Sequence, residues 1–361
     1  MAKTQSTDFL ERIIPHVRSG GARNIVELAG ALRIPVETTR YNVKGMQRRG
    51  LTVHASVEYN KFGLASHEAY LVLSSRAQSR EKRLFQVLAE YSFLTSYVRE
   101  LPDNSYVCSF AVPRNASLLR LVRGLTEEGL IGLSRVEPLS WKKSHMLEPT
   151  FFQLKRGVWK IDWNKIRKQQ KKREDNSNEA TKKSSIHFDE LDILIARSLE
   201  RDALVKLSEI ADSLKTTLNN VFYHFHKHVL REKLVEEFLI RWNGSPKQES
   251  VFAQFEFDNL SMKEENSARS VLRKLPFLWS DASGLDTGFY IGEAMIPTTQ
   301  YLQSLQYLSE TLGGASKKLG VRLLDPKSRY QFPLPTHLFR EGEWKFEPDT
   351  CVDQVVAKLK R

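Results

Sequence analysis

Apolar residues recur at helical spacing over Phe9, Leu10, Ile13, Ile14 and Val17, which predicts a first helix across residues 8–18, bent or shortened at Pro15. After the glycine break at Ser19-Gly20-Gly21 the pattern resumes in a short helix from Asn24 to Leu32. A turn at Arg33-Ile34-Pro35 then leads into a third helix, Val36 to Arg49, closed by Gly50. Thr39, Val43 and Met46 share one side of that helix and form its expected core face. The period then shortens to two in Leu51–Val57, the expected side of a wing. Beyond it, strands are predicted near His67–Ser74, Leu94–Leu101, Tyr106–Val112 and Ile131–Pro138, with helices at Arg80–Tyr91 and Ala116–Glu128 between them. This βαββαβ order is that of a ferredoxin-like sandwich.

The whole pattern then returns. Lys206–Ala211 repeats the apolar positions of Asn24–Ala29 at an offset of 182 residues, and Pro335-Thr336 and Trp344 answer Pro149-Thr150 and Trp159 at offsets of 186 and 185. In the second half Leu191, Leu194, Ile195 and Leu199 mark helix one, Leu207–Leu214 helix two and Thr216–Leu230 helix three. Strands follow near Ser250–Phe257, Leu278–Ala282, Gly288–Ile296 and Lys318–Leu324, with helices at Met262–Lys274 and Thr299–Leu312. A period this long is the length of a folding unit, not of a solenoid repeat. The expected fold class is therefore α+β: two tandem copies of a winged helix-turn-helix and a ferredoxin-like βαββαβ domain. The boundaries read as 1–57 and 58–163 for the first copy, 164–185 for a basic linker, and 186–243 and 244–361 for the second. The tails are expected to pack Trp159 and Trp344 each against its own sheet.

Composition adds direction. No run of about 18 apolar residues is present, so a soluble, cytoplasmic protein without membrane contact is expected. Cys108 and Cys351 stand at non-equivalent positions of the repeat and read as ordinary thiols. The net charge of +12 favours a polyanionic partner but is unevenly placed. Residues 1–55 carry nine Lys/Arg against four acids, whereas 186–242 carry eight against ten. The linker holds eight Lys/Arg and few apolar residues, the composition of a solvated tether.

On the outer side of the first third helix, Thr38, Arg40, Tyr41, Lys44, Gln47, Arg48 and Arg49 form a stripe suited to double-stranded DNA, where guanidinium groups meet guanine edges and phosphates. Its counterpart presents Asn219, Asn220, Tyr223, His224 and Lys227, of which asparagine can read adenine. His224, His226 and His228 alternate along that helix; only His224 and His228 share a face, and with no third donor nearby in sequence no metal site is expected.

These residues carry a resemblance. Phe188–Ile195, Leu207–Ala211 and Thr39–Leu51 are similar to the opening, second and recognition helices of the archaeal and bacterial leucine-responsive regulator (Lrp/AsnC) family. The resemblance implies a transcriptional regulator acting as a single-chain pseudo-dimer, with possible homo-oligomers through its sheets and no cofactor. The family's glycine- and aspartate-containing effector loop is not matched by Leu101-Pro102-Asp103-Asn104 and only loosely by Ser283-Gly284-Leu285-Asp286, which leaves an effector open. Two alternatives stand beside this. One is an architectural or protein-interaction factor that binds DNA non-specifically. The other is an enzyme, because the two-unit outline also resembles the sirohaem decarboxylases, whose chemistry needs histidine and arginine around a tetrapyrrole. Phe93–Arg99 retains Tyr97 and Arg99 without a histidine, and Phe277–Asp281 keeps neither, so the expectation is a protein that is not an enzyme.

Overall fold

The computed structural model describes residues 5–20, 24–102, 105–169, 187–244 and 249–360. Its first half runs α1 (Gln5–Arg18), α2 (Ile25–Leu32), α3 (Val36–Gln47), β1 (Leu51–Val57), β2 (Leu64–Leu73), α4 (Ser75–Gln78), α5 (Glu81–Tyr91), β3 (Leu94–Leu101), β4 (Ser105–Pro113), α6 (Leu118–Glu127) and β5 (Ile131–Ser144). A tail of β6 (Phe152–Gln153), β7 (Val158–Trp159) and α7 (Trp163–Gln169) ends it. The second half opens with α8 (Glu190–Arg201), α9 (Leu207–Ser213) and α10 (Leu218–His224), which widens into a π-helical turn over Phe225–Leu230. It continues with β8 (Val235–Trp242), β9 (Ser250–Phe257), α11 (Met262–Leu272), β10 (Leu278–Gly284), β11 (Tyr290–Pro297), α12 (Tyr301–Thr311) and β12 (Leu319–Leu324). The chain closes with β13 (Tyr330–Gln331), β14 (Phe339–Arg340), β15 (Glu343–Trp344) and α13 (Pro348–Lys360). The fold is mixed α and β.

Local chemistry explains the helix starts. The Asn24 side chain accepts the Val26 and Glu27 N–H groups at 3.1 and 3.3 Å, capping α2. Asp189 and Asp192 cap α8 reciprocally, each carboxylate accepting the other's backbone N–H at 3.0–3.1 Å. Pro15 does not shorten α1, which continues to Arg18.

The strands pair in the order β12-β9-β11-β10-β5-β2-β4-β3, and β12 also pairs with β3, so eight antiparallel strands close into a barrel, four from each half. Alternation along the strands separates two environments. Ala69, Leu71, Cys108 and Phe110 pack outward with Leu84, Phe85 and Leu121 of α5 and α6. The residues between them face a polar lumen. There Tyr70 donates to Gln254 across the barrel at 3.2 Å, and Gln254 donates to Glu68 at 3.2 Å. Further along, Arg135 and Arg322 both hold the Glu256 carboxylate at 2.6 Å.

The two halves are exchanged into one another, which differs from the sequence reading. β1 does not form a wing within its own unit; it pairs with β8, from Leu51 opposite Trp242 to Val57 opposite Val235. Trp159 does not stay on its own sheet but meets Trp242 and Phe277 of the second half, with ring centroids 5.8 and 5.9 Å apart. Trp344 lies 5.4 Å from Phe93 of the first half and donates its indole N–H to the Phe62 carbonyl at 2.7 Å. Covering another unit's helices buries apolar area that a sandwich's own two layers leave open. The expected linker, 164–185, begins as helix, with Ile166 buried in α7; the rest of it, residues 170–185, lies outside the described residues. Cys108 and Cys351 are free, buried thiols. Among the described residues no helix is long and apolar enough to cross a membrane.

Candidate active site

A cavity of about 400 Å³ lies between the β1–β8 ribbon and strands β2 to β5, with Ser280, Glu293, Arg329 and Gln331 to Pro333 completing its wall. That size is within the range of about 300–1,000 Å³ common to small-molecule sites. Each half contributes cations. β5 runs past its expected end at Pro138 to Ser144, pairing with β10, and this extension carries Lys142 opposite Ala282. Lys142 Nζ donates to the Ser109 hydroxyl at 3.1 Å and sits 3.7 Å from Glu68. β8 brings Arg241, which is 8% exposed and donates to the Trp279 carbonyl at 3.2 Å.

Arg329 is placed by the opposite seam. Asp325 and Phe332 donate backbone N–H groups to the Arg99 and Thr95 carbonyls, both at 2.8 Å, while Tyr330 and Gln331 pair with Tyr97 and Ser96. The segment between is thus sewn to β3, and Arg329 lies with its guanidinium 4.5 Å from the Trp279 ring centroid. Among the described residues Arg329 has no hydrogen-bond acceptor and no ion pair. Glu293, held by the Ser280 hydroxyl at 2.6 Å, is the carboxylate whose charge reaches it.

The electrostatics follow from burial. Desolvation and then the charge of Arg329 push the Arg241 guanidinium down to about 10. Burial likewise lowers Arg329, opposed by Glu293. For Lys142 burial works against the ammonium, yet Glu68 and Glu293 outweigh it and hold its pKa above the ordinary value. Glu68 is itself raised to about 7 by burial, so near neutrality its negative charge is incomplete. The wall holds Lys142, Arg201, Arg241 and Arg329 with Glu58, Glu200 and Glu293; burial raises Glu58 and Glu200 to about 7, so near neutrality the cations outnumber the fully ionised carboxylates, an imbalance that costs free energy unless an anion completes it.

Two histidines reach the same cavity. His54, on β1, is lowered to about 3 by burial and by the charges of Arg241 and Arg329. Asn243 donates to the Thr52 hydroxyl at 2.7 Å, and that hydroxyl is hydrogen-bonded to His54 Nε2 at 2.7 Å, which fixes the orientation of the ring. His67, on β2, donates Nδ1–H to the Ala65 carbonyl at 3.1 Å, and burial lowers it too. On the floor, Glu200 accepts from Tyr59 and from the Leu334 N–H, and burial raises it to about 7. Tyr97 lines the cavity and stacks on Phe85 at 3.9 Å.

The residues singled out for DNA lie elsewhere. Thr38, Arg40, Tyr41, Lys44, Gln47 and Arg48 are exposed on α3, Tyr41 at 67%, with Arg40 paired to Glu37. Arg49 turns back, donating to the Gly45 carbonyl at 2.6 Å. Asn219, Asn220, Tyr223 and Lys227 are exposed, whereas the His224 side chain is 12% exposed and engaged with Asp192. The histidines that line the cavity, His54 and His67, come from β1 and β2 and not from Phe93–Arg99. Lys142, Arg241 and Arg329 lie far apart in the sequence, on β5, on β8 and just before β13, so no local motif joins them. The one legible sign is Arg241 itself, a lone arginine inside the apolar run Phe238-Leu239-Ile240-Arg241-Trp242.

No protein-family model matches the chain, and no curated protein matches it. Solved structures do. The crystal structure of the siroheme decarboxylase NirDL matches with a TM-score of 0.55 at 10% identity, over 99% of this chain and 100% of that one. The same enzyme in co-complex with an iron-uroporphyrin III analogue matches with a TM-score of 0.55 at 12% identity, over 97% and 99%. These likenesses establish a shared fold from end to end. They contradict the expectation of a protein that is not an enzyme, since both of these end-to-end matches are structures of an enzyme, and they lend no support to a DNA-binding regulator.

Proposed function

We propose that the chain is a tetrapyrrole-binding enzyme that decarboxylates a carboxylate-rich macrocycle of the sirohaem class, and that it arose by fusing two Lrp/AsnC-like copies of a trihelical unit and a βαββαβ unit. The observation that carries the reading is the excess of cations around one cavity: Arg241, buried, with Lys142 and Arg329, half-buried, Arg329 lacking an acceptor among the described residues. A ring bearing several carboxylates supplies the missing anions as charge-assisted pairs, and Phe332 in the same wall adds apolar aromatic surface. The end-to-end likeness to siroheme decarboxylase NirDL supports the same substrate class.

The chemistry this arrangement allows is non-oxidative. One side-chain carboxylate leaves as CO2 when its carbon–carbon bond breaks, and the electron pair left on the methylene carbon takes up a proton. Lys142, Arg241 and Arg329 hold the remaining carboxylates. His54 gains proton affinity once those carboxylates offset the neighbouring guanidinium charges, and so becomes the proton donor. Mixing the purified chain with sirohaem tests this: a shifted Soret band and, by mass spectrometry, products lighter by one CO2 per step are expected. An unshifted band with unaltered sirohaem would sink the proposal.

A further inference from the structure

Sequence spacing offers His224 and His228 without a third donor, but the fold supplies one from another helix. Asp192, on the first turn of α8, is fully buried, with 0% exposure. One carboxylate oxygen lies 2.9 Å from His224 Nδ1, and the other lies 2.9 Å from His228 Nδ1. The donor atoms of the three residues all fall within 4.8 Å of one another. We infer that Asp192, His224 and His228 form a site for a divalent transition-metal ion, independent of the tetrapyrrole cavity.

Three features support it. Two imidazoles and one carboxylate are the donor set that borderline ions such as Zn²⁺, Co²⁺ and Ni²⁺ take, and it leaves positions open for water. Around an octahedral ion with bonds of about 2.1 Å, neighbouring donors stand about 3 Å apart, which is the spacing between each imidazole nitrogen and its carboxylate oxygen here. An ion entering replaces the two imidazole protons with little movement.

The backbone is also adapted. Immediately after His224 the helix widens into the π-helical turn Phe225–Leu230, where the Arg231 N–H reaches back five residues to the His226 carbonyl at 3.3 Å. Such widened turns concentrate at functional sites, and this one brings residues four apart closer to the same direction than an α-helix does. Around the site, Tyr223 presents its ring to both histidines with centroids 5.6 Å away, and Asp189 stands 3.7 Å from His224 Nδ1 as an outer carboxylate. The ion ties α10 to α8, whose far end carries Glu200 and Arg201 into the cavity wall.

The test is titration of the tag-free, chelator-stripped full chain with Co²⁺ and Zn²⁺, followed by calorimetry and by cobalt ligand-field absorption. One equivalent per chain is expected, with ligand-field bands and a thermal midpoint that rises with bound ion. His228→Ala, at the more exposed ligand, is expected to weaken binding at least tenfold and to abolish both the bands and the midpoint rise, while circular dichroism stays native. His226→Ala, on the same turn but outside the donor set, is expected to bind as the parent does. Absence of a saturable equivalent, or equal affinity in the parent and His228→Ala, would show a hydrogen-bonded staple alone and overturn the assignment.

Discussion

The two ends of the barrel are packed in opposite ways. Thr95, Ser96 and Tyr97 of β3 correspond to Trp279, Ser280 and Asp281 of β10. Around Thr95 the small side chain leaves the cavity open. Around Trp279, with 4% exposure, His145, Trp159, Trp242 and Phe277 enclose essentially 0 Å³ of free space. Asp281 is saturated there: His145 and Arg273 reach it at 2.8 Å, and Tyr290 donates to it at 2.8 Å. In the open end Arg329 has no such partner among the described residues. A satisfied, close-packed end serves folding, whereas an open end with more cations than ionised carboxylates is a local conflict that a bound anion would relieve. The filled end also builds the open one, since Arg241 and Arg329 lie over the Trp279 ring at 5.6 and 4.5 Å.

The largest effect that can break this contrast is on stability. Trp279→Ala is expected to cost about 3–5 kcal/mol in denaturant unfolding, the usual penalty for emptying a buried aromatic site, and to loosen tetrapyrrole binding by removing the wall behind two cations. Arg329→Gln should do the reverse. With no hydrogen-bond or ion-pair partner to lose among the described residues and an uncompensated charge removed, the unfolding midpoint of the unliganded chain is expected to rise, while the dissociation constant for sirohaem rises about 10–100-fold, the equivalent of one charge-assisted contact. A smaller effect separates His54 from the fixed cations. Carboxylates brought beside it raise its pKa from about 3, so binding takes up a proton and affinity should strengthen by up to about tenfold per unit as pH falls from neutral. His54→Gln should flatten that slope. Smallest of all, Arg40→Ala with Lys44→Ala on the exposed face of α3 is expected to change stability by less than about 0.5 kcal/mol and to leave tetrapyrrole affinity unaltered.

The contrast also explains what could be read from the chain. Periodicity located β3 from Leu94 to Leu101 and β9 from Ser250 to Phe257 at their observed limits, because each strand alternates against a helical layer of its own half. The site was not legible, since it depends on contacts between halves. Nothing in the local pattern marks the continuation of β5 from Leu139 to Ser144 or the exchange of the two tails, as their partners lie in the other half of the chain. The same holds for Asp192 with His224 and His228, brought together from different helices. Judging the cavity from Phe93–Arg99 alone therefore missed its histidines, which arrive on β1 and β2. The basic stripe of α3 drew attention for the opposite reason: exposed charge is visible in sequence but costs little to keep, so it says less about function than a buried arginine does.

The most direct test places the parent chain and Thr95→Trp side by side in a sirohaem titration followed at the Soret band. Thr95→Trp carries into the open end the residue that fills the other. The parent is expected to saturate at one tetrapyrrole per chain and Thr95→Trp, still folded, to give no saturable shift. Equal saturation in both, or two equivalents in the parent, would contradict the assignment of the ligand to this cavity.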